Sequence, residues 1–187
     1  MKRAIININF IFIAVFTSHA YSQDLNNAKG LKIIFIRHGE KPAKGDNLTC
    51  EGLNRSLQLP NVISSKFGIP NFIYTPSLIT GQSTKRSRMF QTVTPLAIKY
   101  NISINSNYDE KDSSGIANDL KNRNGIVLVV WEHKAIIPIV RSLGITNEQL
   151  TWNDDDYNSI WIVTFLDGIA ILTKDTEGIT PFVNCPF

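Results

Sequence analysis

Short apolar runs along the chain alternate with longer stretches in which apolar residues recur three or four positions apart. Leu31 to Ile36 (LKIIFI) and Ile126 to Trp131 (IVLVVW) are runs of the first kind, the pattern of strands covered on both faces. Asn71 to Thr75 (NFIYT) reads as a further strand and Ile102 to Ile104 as a short one. Helical spacing joins Leu53, Leu57, Val62 and Ile63 toward Phe67. It joins Met89, Phe90, Val93, Leu96 and Ala97 between Ser83 and Tyr100, where Pro95 predicts a kink. Ile116 to Arg123 predicts a short helix, and Pro138 to Leu143 another that stops at Gly144. Ile160 to Leu166 and Ile169 to Thr173, joined by Asp167-Gly168, predict a β-hairpin. Strands alternating with helices predict a single α/β domain with a mostly parallel central sheet flanked by helices. Such sheets bind ligands outside the carboxyl ends of their strands.

The first 22 residues break this pattern. Lys2 and Arg3 precede the apolar run Ala4 to Phe16, and small residues follow at Ser18, Ala20 and Ser22, the order of a secretory signal peptide. The apolar stretch of about 13 residues is shorter than the roughly 20 that a bilayer-spanning helix needs. Residues 1–22 are therefore expected to be cleaved, leaving residues 23–187 as the domain of a periplasmic or secreted protein without a membrane span. Loss of Lys2 and Arg3 takes the formal charge from +3 to +1, too little for the basic field of a nucleic-acid-binding protein. In an oxidising compartment Cys50 and Cys185 can form a disulfide that ties the C-terminal tail to the loop after the first strand. They can equally stay separate thiols, because sequence carries no distance between them. Asn47, Asn54 and Asn101 begin Asn-x-Ser/Thr sequons, which matter in a host that glycosylates exported proteins.

Both apolar runs end abruptly on polar residues, Arg37-His38-Gly39-Glu40 and Glu132-His133-Lys134. Of three histidines, His19 leaves with the signal peptide, and His38 and His133 each lie at a predicted strand end. Either one alone reads as a histidine satisfied by local hydrogen bonds; both at strand ends point to a shared site. His38, Glu40 and His133 could ligate a metal, but the guanidinium of Arg37 beside a bound cation is electrostatically unfavourable, so neither metal nor cofactor is expected. The same neighbours suit an anion. Arginine offers a planar fork of donors to phosphate oxygens, glycine lets backbone approach a ligand, and a neutral imidazole can attack phosphorus. Nearby positive charge lowers a histidine's pKa and so frees that lone pair.

At these residues the chain resembles the histidine phosphatase superfamily, also called phosphoglycerate-mutase-like. Arg37-His38-Gly39 at a strand end, with Glu40 next, is similar to the family signature. LTCEGLNRSLQLP, Leu48 to Pro60, resembles its Leu-Thr-x-x-Gly turn into a helix. Arg88, Gln91 and Thr92 resemble its Arg-x-x-Gln-Thr, and VLVVWEH places His133 where the second histidine follows a Val-rich strand. Trp131-Glu132-His133 looks like the small secreted bacterial-type members. Together these matches span residues 31–143. The resemblance implies that His38 is the nucleophile and that Arg37, Arg88 and His133 bind the phosphoryl oxygens. Arg88 otherwise reads as part of a solvated helix face with Lys85 and Arg86.

A general acid must protonate the leaving oxygen, and here the chain departs from one branch of the family. Acid phosphatases have Asp directly after the second histidine, where this chain has Lys134. The mutase-like branch uses a Glu about two dozen residues after the helix arginine. Tyr108-Asp109-Glu110 is similar, so Glu110 is the implied acid, with Asp109 and Glu132 as alternatives and a solvated loop carboxylate as the plain reading. The acidic run Asp154 to Asp156 with Tyr157 reads as a solvated turn, or as a segment that repels anions or gates a pocket. The resemblance thus implies an exported, metal-independent phosphomonoester phosphatase acting through phosphohistidine on a small phosphorylated substrate. A phosphoglycerate-type phosphomutase and a non-catalytic anion-binding module are the alternatives. Oligomeric state has no signature in the sequence.

Overall fold

The structure, a computed structural model, describes residues 30–79, 83–146 and 149–185; the expected signal peptide lies outside them. Its strands are β1 (Lys32–Arg37), β2 (Phe72–Tyr74), β3 (Ile104–Asn105), β4 (Ile126–Trp131), β5 (Ser159–Leu166) and β6 (Ile169–Thr176). They form one sheet in the order β3-β2-β4-β1-β5-β6. β3, β2, β4 and β1 run parallel, and β5 and β6 add an antiparallel edge. The helices are α1 (Cys50–Phe67), α2 (Ser87–Tyr100), α3 (Ser113–Lys121) and α4 (His133–Ser142). No helix of the described residues is long and apolar enough to cross a membrane.

Strand periodicity divides the core. Ile34 and Ile36 of β1 with Leu128 and Val130 of β4 face Leu59 and Ile63 of α1 and Val93 and Leu96 of α2. Ile33, Phe35, Val127 and Val129, one residue out of step, face Ile116 and Leu120 of α3 and Ile136 and Val140 of α4. A sheet covered on both faces is why β1 and β4 read as apolar throughout. The hairpin turn places both Asp167 (φ 50°) and Gly168 (φ 79°) in the left-handed region, the geometry of a tight turn between twisted strands.

Three expectations change in the structure. α4 begins at His133, well before Pro138, because the Glu132 carboxylate accepts hydrogen bonds from the Lys134 and Ala135 amides and caps the helix. α3 likewise begins at Ser113, capped by Asp112. In α1 the buried face is not the stripe expected from Leu53 and Leu57: Leu57 is 49% exposed, whereas Asn54, Arg55 and Ser56 are buried. Those polar side chains face partners far along the chain. Asn54 Nδ2 donates to the carbonyls of Phe182 and Asn184, and Arg55 binds Glu40 and Glu177. Cys50 and Cys185 are bonded in a disulfide, with Cα atoms 4.7 Å apart. The C-terminal tail is thereby fastened to the first turns of α1.

Candidate active site

β1 and β4 are neighbours in parallel, and Arg37 pairs with Trp131 in register. Both strands therefore end at one edge of the sheet, where the His38 amide donates to the Trp131 carbonyl at 3.2 Å. This register brings His38, the first residue after β1, to the side of His133, the first residue of α4. Arg88 reaches the same edge from the first turn of α2. Thr92 Oγ1, one turn further on, accepts the Gly39 amide at 2.8 Å and donates to the Arg88 carbonyl at 2.8 Å. Gln91 accepts the Leu48 amide at 3.0 Å. The residues of the Arg-x-x-Gln-Thr motif thus brace the loop after β1.

The His38 ring is buried, and its Nδ1 lies 2.7 Å from the Gly39 carbonyl. A carbonyl only accepts, so Nδ1 carries the proton and Nε2 keeps its lone pair when the ring is neutral. Burial, joined by the charges of Arg37, Arg88 and His133, lowers the pKa of His38 to about 4. At neutral pH the ring is therefore unprotonated, beside the guanidinium groups of Arg37 and Arg88.

The donors around it are incompletely satisfied. Arg37 Nη1 donates to the Asp154 and Asp156 carbonyls at 2.7 and 3.2 Å, and its guanidinium carbon lies 3.8 Å from the Tyr157 ring centroid. Arg88 Nη2 donates to the Gly45 carbonyl. His133 Nε2 lies 2.7 Å from Asp154 Oδ1, and its Nδ1 is 2.6 Å from Glu132 Oε1 but outside hydrogen-bond alignment. Arg37 Nε and Arg88 Nε are two of five buried side-chain nitrogen or oxygen atoms without a hydrogen-bond partner among the described residues. Buried donors are normally paired, so their concentration in one cluster marks a place built for an acceptor-rich ligand.

The three carboxylates considered as general acid differ sharply. Asp109 is exposed, lies 2.7 Å from Arg86 and is held below its usual pKa by the Lys111 amide and by Arg86. Glu132 is spent on capping α4. Glu110 is half-buried, and burial, with Glu132 and Asp109 nearby, pushes its carboxyl up. The Glu110 carbonyl accepts Trp131 Nε1 at 3.0 Å, which fixes this residue to the end of β4. Glu40 is drawn instead onto Arg55, at 3.0 Å from Nε and 2.7 Å from Nη2, so the trio His38, Glu40 and His133 does not assemble. Among the described residues no group of three or more His, Cys, Asp or Glu side chains is placed to hold a metal ion.

The sequence left one side of the cluster open between a solvated turn and a segment that gates a pocket, and gave no sign of the packing on the other. The segment Asp154 to Tyr157 touches Arg37 and His133, and only its charge and its aromatic residue hinted at that. Behind the cluster, Gly39 and Gly52 pack backbone to backbone: a Cβ on Gly39 would stand 2.9 Å from the Gly52 carbonyl, and one on Gly52 only 2.8 Å from the Glu40 amide. A separate cleft of about 610 Å³ lies against β2 and β3, lined by Asn71, Tyr74, Asn105 and Arg123; none of the histidine cluster lines it.

No family model and no curated protein sequence matches the chain. Solved structures do. The protein histidine phosphatase SixA complexed with tungstate superposes with a TM-score of 0.53 at 17% identity, over 78% of this chain and 97% of that one. A phosphoserine phosphatase mutant from Entamoeba histolytica in complex with phosphoserine gives 0.52 at 15% identity, over 79% and 96%. Phosphoglycerate mutase from Bacillus anthracis gives 0.51 at 13% identity, over 78% and 92%. With its β3-β2-β4-β1-β5-β6 sheet and a helix pair on each face, the chain has the fold of the histidine phosphatase superfamily, the phosphoglycerate-mutase-like fold.

Proposed function

We propose that this chain is an exported phosphomonoester phosphatase that works through a phosphohistidine on His38. The observation that carries the reading is the buried His38 ring, neutral and tautomerically fixed, amid guanidinium donors left short of acceptors. His38 Nε2 attacks phosphorus as the ester P–O bond breaks, and Arg37, Arg88 and His133 take the negative charge spread over the transferring oxygens. Glu110, whose carboxyl burial pushes up, gives its proton to the leaving oxygen. As a carboxylate it then takes a proton from the water that attacks phosphorus, releasing phosphate and restoring Nε2. The tungstate and phosphoserine in two of the similar structures support oxyanions and phosphorylated amino acids as first ligands to try. The Cys50–Cys185 disulfide supports export to an oxidising compartment.

The test is hydrolysis of an aryl phosphate by the mature chain with excess chelator, beside His38→Ala. Loss of at least about a thousandfold, or roughly 4 kcal/mol of barrier lowering, is expected of the variant. Equal activity in both proteins, or activity that disappears with chelator, overturns the reading. Transfer of the phosphoryl group to a second hydroxyl rather than to water would identify a phosphomutase, and phosphate binding without turnover an anion-binding module.

A further inference from the structure

The segment between α4 and β5 is fixed at its base and exposed at its tip. Asp156 accepts the Asn158 and Ser159 amides at 2.9 Å and the Ser159 hydroxyl at 2.5 Å. The Asp156 carbonyl accepts Trp152 Nε1 at 3.0 Å, and Trp152 packs on Trp161 of β5. From this base Tyr157 lies over the Arg37 guanidinium, with its ring centroid 6.1 Å from that of His38. Asp154 meets three side chains of the cluster and its flank. Its carbonyl takes Arg37 Nη1, and its carboxylate takes His133 Nε2 at 2.7 Å and Lys134 Nζ at 3.0 Å. Yet that carboxylate is 72% exposed, so it can swing into water without leaving a buried charge behind.

We propose that Asp154 is a resident competitor at this site, its carboxylate standing on His133 Nε2 where an oxygen of the phosphoryl group binds, so that a ligand enters by displacing it. The inference rests on the phosphoryl-site reading above. The His133 hydrogen bond, then Lys134, holds the Asp154 carboxyl down at about 2, so the resident anion is charged at any working pH. A ligand that brings one charge and two oxygens offers His133 little more than Asp154 already does. A phosphomonoester dianion brings two charges and three free oxygens, enough to take His133 and also reach Arg37 Nε and Arg88 Nε, which Asp154 leaves unpaired. Asp154 therefore weakens every anion that needs His133 Nε2 by one common factor, set by how much of the time the carboxylate stands there. Lys134, which stands where the acid-phosphatase branch has its acid, serves here to hold the displaced or resident carboxylate.

The experiment titrates inorganic phosphate into the mature chain by calorimetry and measures kcat and KM on an aryl phosphate. The parent is compared with Asp154→Asn, Asp154→Ser, Arg37→Ala and, as a charge control, Asp155→Asn. Asp155 is exposed beside Asp154. If the closed form dominates, its removal tightens phosphate at least about tenfold in both Asp154 variants. KM falls in step while kcat changes by less than about threefold. Asp155→Asn shifts the Kd by less than about twofold, as expected of a screened surface charge. Phosphate that binds the parent through Arg37 but no more tightly to the Asp154 variants overturns the displacement and leaves the phosphoryl site standing. So does an equal gain from Asp155→Asn, which would make the effect a general field. Absence of phosphate binding in every protein, or binding that Arg37→Ala leaves intact, overturns the site reading and this inference together.

Discussion

Replacing Gly52 with alanine tests whether the grip behind His38 matters for both folding and chemistry. The added Cβ would stand 2.8 Å from the Glu40 amide, closer still to its carbonyl, and 3.1 Å from Leu48 Cβ. The first two obstacles are backbone, so no side chain can turn aside, and α1 must back away from the loop by about 1 Å. The same Glu40 carbonyl accepts the Thr49 amide at 2.9 Å and Thr49 Oγ1 at 3.3 Å. Withdrawal stretches both bonds, each worth about 1 kcal/mol, and overpacking adds about 1–3 kcal/mol. Gly52→Ala is expected to lose about 3–5 kcal/mol, read from urea unfolding at neutral pH, against the 5–15 kcal/mol typical of a domain.

The functional consequence follows from distance. Gly39 lies against Gly52 and directly follows His38, so the displacement passes to the attacking ring, and a misplacement of about 1 Å lowers turnover about a hundredfold. kcat on an aryl phosphate should fall by that order, with KM less affected. Gly39→Ala meets the same contact from the other side, so the double variant should cost less than the sum of the two singles. A Gly52→Ala protein with unchanged urea midpoint refutes the packing reasoning. One destabilised as expected but with unchanged kcat refutes the link from packing to His38.

Glu110→Gln should lower kcat by about 10²–10⁴-fold, most for alkyl phosphates whose leaving oxygen needs the proton and least for aryl ones. It should also remove the alkaline limb of the rate profile; equal loss on both substrates, or the same loss from Asp109→Asn, refutes the assignment. The acid limb should stay near pH 4, where His38 takes up its proton. Glu177, 3% exposed, is pushed by burial from the usual 4.5 up to about 7 despite Arg55. The folded chain then binds more protons than the unfolded one between those values, so the stability from this group is complete below pH 4.5 and is lost as pH rises through 7, by up to about 3 kcal/mol. Stability of the parent minus that of Glu177→Gln should fall across this window in urea titrations; His38, whose slope is opposite, cancels in the difference, and a flat difference refutes the shift. Replacing Cys50 and Cys185 with serine opens a loop spanning 135 positions and should cost about 2–5 kcal/mol; a change below about 0.5 kcal/mol would mean the tail is held by Asn54 and Arg55 alone.

What could be read from the sequence was whatever a single run of residues specifies. β1 and β4 are apolar throughout because they are covered on both faces, and the polar residues that end them stand at one sheet edge because the strands are parallel neighbours in register. What could not be read depends on partners distant in the chain. Asn54, Arg55 and Ser56 look like the solvated side of α1, yet Asn54 meets residues 128 and 130 positions away and Arg55 meets Glu177, 122 away. The start of α4 was hidden because Glu132 drew attention as an acid, whereas its carboxylate closes the helix. Asp154 to Tyr157 has no periodicity at all. Its meaning comes only from the antiparallel β5, which brings the segment back beside the end of β1.

The two sides of His38 are held by forces of different kind, and this divides the effects that substitutions can have. Behind it, Gly39 is wedged against Gly52, hydrogen-bonded to Thr92 and followed by Glu40 on Arg55, all among buried atoms that have no alternative arrangement at low energy. The ring there is preorganised before any ligand arrives, which is what lowers a barrier rather than a binding constant. In front of it, the Asp154 carboxylate meets His133 and Lys134 from an exposed position where water can replace each of its bonds. Such a contact competes with a ligand and is gone once the ligand has bound, so it bears on KM and not on the step that follows. Substitutions behind His38 should therefore act on kcat and those in front on KM, and the reverse pattern would mean that the cluster is entered from the other side.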